Sequence, residues 1–393
     1  MINITDKTKC TGCSACKNIC PKNAINFECD FAGYKYPKID VSKCVDCSLC
    51  EKVCPIINPI KVKQNYNDPI IKAAWNLNES IRVNSTSGGV FSALADRFIE
   101  DGGYVVGAIY TDNFDIQHTI ISSKEKEGIK VLRQSKYAQS ELGDIFKQIK
   151  DILNNNEKIM FCGSPCQAAG LRSYLRKDYD NLFLVDFICR GIISQKIYKN
   201  YLESVERHSN SAITKVHFKN KDFGWNRFST KLSLENGDAY HKDRYTDEYM
   251  LGYLKYNLYL RPCCHECQFK TLPRVSDISL GDFWGIGSSD KSLDNDKGTS
   301  VVIINSDKGK ALFYGANESL YSCDSTLEQV TKGNACLFNI APKGKYSDYF
   351  YKHFEKKDFI DLIKKIEKKA VWDRKDLSLK DRAYLIKERI KGN

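Results

Sequence analysis

Eight of the 17 cysteines fall into two copies of one pattern. The first reads Cys10-Thr-Gly-Cys13-Ser-Ala-Cys16-Lys-Asn-Ile-Cys20-Pro21. The second reads Cys44-Val-Asp-Cys47-Ser-Leu-Cys50-Glu-Lys-Val-Cys54-Pro55, and starts 34 residues after the first. C-x2-C-x2-C-x3-C-P, written twice, is the spacing of a protein with two 4Fe–4S clusters. Three thiolates on short loops wrap one face of a cube, and backbone N–H groups turn toward the sulfurs. The fourth cysteine starts the next helix and reaches the other cube. Cys10, Cys13, Cys16 and Cys54 are therefore assigned to one cluster, and Cys44, Cys47, Cys50 and Cys20 to the other. Pro21 and Pro55 stop each run from continuing as helix. Paired C-x-x-C also binds zinc, but four tetrahedral ligands do not require two such runs. A disulfide framework does not suit a long chain with an odd number of cysteines and no secretory leader. The chemistry expected of these residues is one-electron transfer.

A second set of thiols lies outside that module: Cys162, Cys166, Cys189, Cys263, Cys264, Cys267, Cys323 and Cys336. Cys264-x-x-Cys267 offers two ligands from one loop, and Cys166 and Cys189 offer two more from strand ends. The expectation is a third 4Fe–4S cluster held by Cys166, Cys189, Cys264 and Cys267. A zinc site including His265 and a catalytic thiol are the rivals, and spacing alone does not separate them. Cys29 fits neither run and reads as a buried spare thiol.

The elements that must position these groups follow from periodicity. Residues 58–70 are polar and bracketed by Pro59 and Pro69, which reads as a linker. Strands are expected over 71–75 and 103–110. Between them Ser85-Thr-Ser87-Gly88-Gly89 feeds an amphipathic helix with Phe91, Leu94, Ala95 and Phe98 on one face. Hydroxyls and glycines at a helix N-terminus suit an anion; simple N-capping by Ser85 or Ser87 explains them equally well. A helix over 142–153 follows the polar cluster Lys136-Tyr137-Ala138-Gln139-Ser140. Strands at 158–161 and 181–187 each lead to a cysteine, in alternation with a helix over 168–175, which argues an α/β core with sites at strand carboxyl ends. Residues 212–245 alternate as β-structure, 249–260 look helical and aromatic, and 298–305 form a buried strand. From 347 onward charge surrounds Phe354, Ile360, Ile363 and Ile366 at helical spacing, which reads as surface helices.

The 393 residues exceed a lone two-cluster module and suggest two or three units. No apolar run is long enough to span a membrane, and no leader stands at the start, so the expected location is cytoplasmic. A net charge of +11 would suit nucleic acid, but clusters are themselves anionic and change that count.

Taken in order, Ser85-Thr-Ser87-Gly88-Gly89-Val-Phe91, Ser135-Lys136-Tyr137-Ala-Gln139-Ser140, Gly163-Ser164-Pro165-Cys166-Gln167, Cys189-Arg190-Gly191, Arg261-Pro262-x-Cys264-x-x-Cys267 and Ser276-Asp277 through Gly281-Asp282-Phe283-Trp284-Gly285 resemble the beta-subunit family of coenzyme F-420 hydrogenases and dehydrogenases. The matching segments run from about residue 70 to residue 305. The resemblance implies an FAD-binding domain with a 4Fe–4S cluster near the flavin. By that analogy Ser85, Ser87, Gly88, Gly89, Lys136, Gln139 and Ser140 lie at the flavin, and Cys166, Cys189, Cys264 and Cys267 hold the cluster. Three clusters and a flavin dinucleotide would together offset about 8 of the 11 positive charges.

The expected fold is α+β and α/β. A bacterial ferredoxin-like domain spans 1–57, a linker 58–70, a mixed α/β flavin-binding domain 71–345 and a charged helical tail 346–393. The expected function is an iron–sulfur flavoprotein oxidoreductase. It passes electrons from ferredoxin or another redox protein through three 4Fe–4S clusters to FAD. A small organic substrate follows, with coenzyme F-420 or a polysaccharide-pathway intermediate as candidates. The alternatives are an electron-transfer subunit that wires a partner enzyme, and a zinc protein binding nucleic acid. Nucleic acid is not an expected partner. No side chain is nominated as acid or base, no nickel-binding motif is present, and Gly285-x-Gly287 lacks the third glycine of a dinucleotide fingerprint.

Overall fold

The computed structural model describes residue 2 and residues 6–391. The two cysteine runs form tight loops ending in single helical turns, Ala15–Ile19 and Leu49–Lys52, each closed before its Cys-Pro. Between them lies an antiparallel hairpin of β1 (Ile25–Cys29) and β2 (Lys35–Ile39). Cys29 sits on β1 and is exposed, not buried, because its strand belongs to a two-stranded ribbon with one face in solvent.

Eleven further strands appear among the described residues: β3 (Ile70–Asn76), β4 (Tyr104–Tyr110), β5 (Ile116–Ile121), β6 (Ile159–Cys162), β7 (Leu182–Phe187), β8 (Ile213–Asn220), β9 (Ser229–Leu234), β10 (Ala239–Asp243), β11 (Ile278–Asp282), β12 (Ser300–Ile304) and β13 (Leu320–Asp324). Eight of them build one mixed sheet in the order β13-β3-β12-β11-β7-β6-β4-β5. Its centre is parallel, β4 to β6 to β7 to β11, and both flanks are antiparallel. The central strands are mainly apolar, as strands covered on both faces are, with the polar exceptions Asp186 on β7 and Ser279 and Asp282 on β11. The helix Val90–Glu100 packs Leu94, Ala95 and Phe98 onto one face, and Ile145–Asn154 and Pro165–Leu175 cover the other. β8, β9 and β10 form a separate antiparallel sheet.

The aromatic stretch 249–260 is not a continuous helix. A short α turn, Glu248–Met250, runs into a π turn, Leu251–Lys255, and the chain then leaves helical geometry. Tyr249, Tyr253 and Tyr259 are all buried, so aromatic packing rather than helical periodicity set that pattern. The tail helix Phe359–Trp372 has the expected spacing, but Ile360, Ile363 and Ile366 are buried against Gln195–Ser209. Its charged face is solvated and its apolar face belongs to the core.

Segment 58–70 contains no regular element until Ile70 opens β3, yet it is pinned. Asn65 donates to the carbonyls of Arg274 and Ser276 at 2.6 and 3.0 Å, and Tyr66 N–H donates to Asn305 at 2.6 Å. The cysteine module packs directly on the large domain, with Cys13, Ala15 and Val53 in the same core as Phe146, Phe161 and Leu171. Gly170 makes that approach available: a Cβ there would stand 2.8 Å from the Cys13 Cβ and 2.9 Å from its sulfur.

Candidate iron–sulfur and cofactor sites

Within the module, Cys10, Cys13, Cys16 and Cys54 are buried together, each 9% exposed or less. Charge on Cys54 and Cys10 acts on both Cys13 and Cys16, which places the four at one centre. Burial pushes the Cys13 thiol up to about 12, so only a bound cation would hold it as thiolate. Cys20, Cys44, Cys47 and Cys50 line a second cavity with Ile25, Ile39 and Leu49. Backbone N–H groups of Ala24 and Ile2 point at the sulfurs of Cys20 and Cys50, both at 3.3 Å. This centre is the more open one, with Cys47 exposed.

The third set also converges. Cys166 stands in the first turn of Pro165–Leu175, Cys189 follows the end of β7, Cys264 lies within the turn Pro262–Glu266 and Cys267 closes it. All four line one cavity of about 620 Å³, part of it open to solvent, whose rim includes Thr8, Lys9 and Thr11 of the module. Burial raises Cys166 well above the ordinary thiol range, and charge on Cys189, Cys264 and Cys267 raises it further. The sulfurs are spread too widely for one ion. Zn–S bonds of about 2.3 Å put tetrahedral sulfurs about 3.8 Å apart. Among the described residues, no three cysteine sulfurs lie within 4.8 Å of one another. His265 turns away and pairs its Nδ1 with the Ala341 carbonyl at 2.8 Å.

Residues not nominated as ligands from the sequence complete this pocket. Cys336 lines it, and Arg190 donates toward its sulfur at 3.7 Å. Lys270 donates to the Cys189 carbonyl at 2.7 Å and to that of Cys336. Buried Arg274 pairs with Asp186 at 3.1 Å.

The seven residues assigned to flavin divide into two groups. Ser85, Ser87, Gly88 and Gly89 form the turn before Val90–Glu100. Neither serine caps that helix: Ser85 donates to Ile81 O at 2.7 Å and Ser87 to Thr299 O at 2.9 Å. Gly89 occupies the N-cap with φ +82° and no side-chain cap. Gly88 is required for packing, since a Cβ would meet the Ala74 carbonyl at 2.5 Å. Lys136 lies alongside, with Thr86 Oγ1 and Ser135 Oγ 3.0 Å apart. Gln139 and Ser140 face elsewhere. Gln139 donates to Thr11 O at 3.0 Å in the module, and Ser140 meets His118 Nδ1 at 2.8 Å.

The crease beside Ser87 is basic. Lys136 is held by the carbonyls of Val131 and Arg133 at 3.0 and 2.6 Å. Lys221 is held by those of Arg82, Ser87 and Lys297 at 2.8, 2.6 and 2.8 Å. Burial pushes each ammonium down to about 7. Across the crease Lys219 pairs with Asp282, which also accepts from Trp225 Nε1 at 2.9 Å, and Trp225 stacks on Trp284 at 4.7 Å. Two half-buried cations whose hydrogen bonds go to backbone carbonyls, beside an uncapped helix N-terminus, suit an anionic group.

Comparison with known proteins places this geometry. Residues 9–56 match the 4Fe–4S dicluster domain, and residues 156–329 match the C-terminal part of the coenzyme F420 hydrogenase/dehydrogenase beta subunit. That second stretch is similar to the beta-subunit family. It contains Cys166, Cys189, Cys264 and Cys267, whereas residues 85–140 lie outside both matches. An uncharacterized protein of Methanocaldococcus jannaschii is 26% identical over 343 residues, 79% of this chain and 87% of its own length. A chain from the F420-reducing [NiFe] hydrogenase complex of Methanosarcina barkeri is 19% identical, with a TM-score of 0.47 over 82% of this chain and 97% of that one. The protein is an iron–sulfur electron-transfer protein related to those beta subunits, and among its described residues no helix is long and apolar enough to cross a membrane.

Proposed function

We propose that this chain is an iron–sulfur flavoprotein oxidoreductase with three 4Fe–4S clusters and one FAD, drawing electrons from a ferredoxin-like donor. The carrying observation is that Cys166, Cys189, Cys264 and Cys267, from three distant segments, surround one cavity that touches the cysteine module. When bound, the clusters supply one-electron steps and the flavin converts them to two-electron, hydride-type chemistry on an organic substrate. Coenzyme F420 and a polysaccharide-pathway intermediate are the candidate substrates.

The chain's own residues do the remainder. Cys10, Cys13, Cys16 and Cys54 hold the inner cluster of the module, and Cys20, Cys44, Cys47 and Cys50 hold the outer one. Exposed Cys47 marks the outer centre as the face a donor reaches. Ser87, Lys136 and Lys221 would hold the flavin phosphates in the basic crease, and Trp225 with Trp284 keeps water from its apolar wall. Gln139 and Ser140, engaged with the module and with His118, act by holding the domain together and not by touching the flavin. This placement also favours a second reading, an electron-transfer subunit that serves a partner enzyme and has no substrate of its own.

Iron, acid-labile sulfide and flavin analysis of anaerobically purified protein separates the two. The oxidoreductase reading expects about twelve irons and one FAD per chain. About twelve irons without flavin would leave the wiring subunit, and about eight without flavin would leave only the module. Cys264→Ala should lower iron from about twelve to about eight while the module's clusters persist. A variant that keeps twelve irons would remove Cys264 from the ligand set.

A further inference from the structure

Arg261 is fully buried. A buried guanidinium is costly unless an anion faces it, and it does not shed its proton. Among the described residues no carboxylate forms an ion pair with it; the largest charge effects on it come from Cys263, Cys10, Tyr36 and Tyr34. Its Nε donates to the Cys10 carbonyl at 2.8 Å, and Nη2 points at the Cys10 sulfur at 3.7 Å. Nη1 donates to Gln139 Oε1 at 2.9 Å, and Nη2 also to the Lys35 carbonyl at 2.8 Å. The Tyr36 ring covers the guanidinium at 4.5 Å. Gly12 leaves room for it, since a Cβ there would stand 3.1 Å from the guanidinium carbon.

The backbone of the same residue belongs to the third site. Arg261 N–H donates to Ile192 O at 2.9 Å, and Cys264 N–H donates to Arg261 O at 2.8 Å. Arg261 therefore spans two cysteine centres, with its side chain on one and its main chain on the other. Among the described residues no Lys or Arg donates to a sulfur of the outer centre, although Lys22 lines its cavity; Ala24 and Ile2 N–H groups serve Cys20 and Cys50.

We propose that Arg261 is the fixed counter-ion of the cluster held by Cys10, Cys13, Cys16 and Cys54, and that it raises that cluster's reduction potential. Reduction adds a negative charge, and burial in an apolar core opposes it. A permanent cation at the Cys10 sulfur offsets that penalty and keeps the buried cluster reducible on the path toward Cys264. The inference rests on the reading that this quartet holds a 4Fe–4S cluster. Arg261 is a positioning and tuning residue, without contact to substrate.

The test is an EPR-monitored redox titration of the anaerobic full-length holoprotein, wild type against Arg261→Met and Arg261→Lys. Arg261→Met should lower the reduction equilibrium constant of one module cluster at least tenfold, about 59 mV for a one-electron couple. The other module cluster should not move. Arg261→Lys keeps the charge and should stay within that tenfold. Should Arg261→Met lose iron, Arg261→Lys carries the test. An iron-replete Lys variant whose cluster falls tenfold or more would overturn the charge argument. Equal shifts in both clusters, or no shift with iron intact, would also overturn it. Wild-type protein with fewer than about eight irons would instead sink the two-cluster reading on which the inference stands.

Discussion

His118 is the titratable side chain whose surroundings are most completely specified. Its Nε2 lies 3.1 Å from the Cys162 carbonyl, so Nε2 carries the proton and Nδ1 accepts from Ser140. Gln167 Nε2 donates to the same Ser140 hydroxyl at 3.1 Å, and Ser164 donates to Gln167 Oε1 at 3.0 Å. Ser164 Oγ finally lies 3.2 Å from the Cys166 sulfur. A buried chain thus runs from β5 to a candidate cluster ligand and fixes the neutral tautomer. Burial pushes His118 down to about 4 from the ordinary 6.5. The folded state resists a proton that the unfolded state accepts. This contribution to stability is therefore whole above about pH 6.5 and is lost as pH falls toward 4. Between pH 7 and pH 5 it should amount to about 2 kcal/mol. Urea unfolding at the two pH values, wild type against His118→Gln, should show that difference disappear in the variant. An unchanged pH dependence would mean His118 is not buried neutral. At this scale the sequence is legible where ligands are close together. The eight module cysteines can be read from spacing alone. The third set needed a family resemblance, because Cys166, Cys189 and Cys264 approach only through strand order. Lys221 at Ser87 carries no local pattern at all, and although Arg261 and Cys336 can be picked out in the sequence, nothing in their spacing points to Cys10 or to the cavity.

Elements were legible where burial follows a period. β4, β6, β7 and β12 are mainly apolar runs, broken only by Asp186 in β7 and Ser300 at the start of β12, and Val90–Glu100 and Phe359–Trp372 show helical faces. β5 and β13 lie at the two edges of the large sheet, where half-exposed residues blur the alternation. The aromatic stretch after residue 248 was misleading because its tyrosines pack on one another and on Phe359, not along one helix face. The helix Pro165–Leu175 is the element on which the two halves meet. Elsewhere in a helix, Gly→Ala would stabilise by about 0.5–1 kcal/mol. At Gly170 the added methyl meets Cys13 at a distance that real Cβ atoms do not tolerate. Gly170→Ala should therefore cost about 1–3 kcal/mol as overpacking and lower bound iron. Thermal unfolding and iron analysis check it. A variant with higher Tm and full iron would mean the module does not sit on this helix.

At the scale of the molecule, the cysteine module is built into the protein. Ala32 and Tyr34 of the hairpin region share a core with Phe350, Phe354 and Ile363 of the tail. Tyr34 donates to Tyr259 O at 2.8 Å, and Lys9 pairs with Glu266 at 2.6 Å. Such packing holds the inner cluster and the third cavity at a constant separation, which electron transfer between them requires. The outer centre faces solvent, so the proposed electron path runs from Cys47 through buried Cys10 to the half-buried Cys264. The positive charge that remains of the chain's +11 once bound cofactors offset about 8 still offers an acidic redox donor long-range attraction. Reduction by such a donor should slow as salt rises, whereas electron passage within the chain should not.

The most direct test of the account is an anaerobic reductive titration that counts electrons per chain. Three one-electron clusters and a two-electron flavin should take up about five equivalents, with flavin absorbance and cluster EPR signals changing in the same titration. Uptake of about two equivalents, without flavin bleaching, would contradict the third cluster and the flavin together and leave a two-cluster electron carrier.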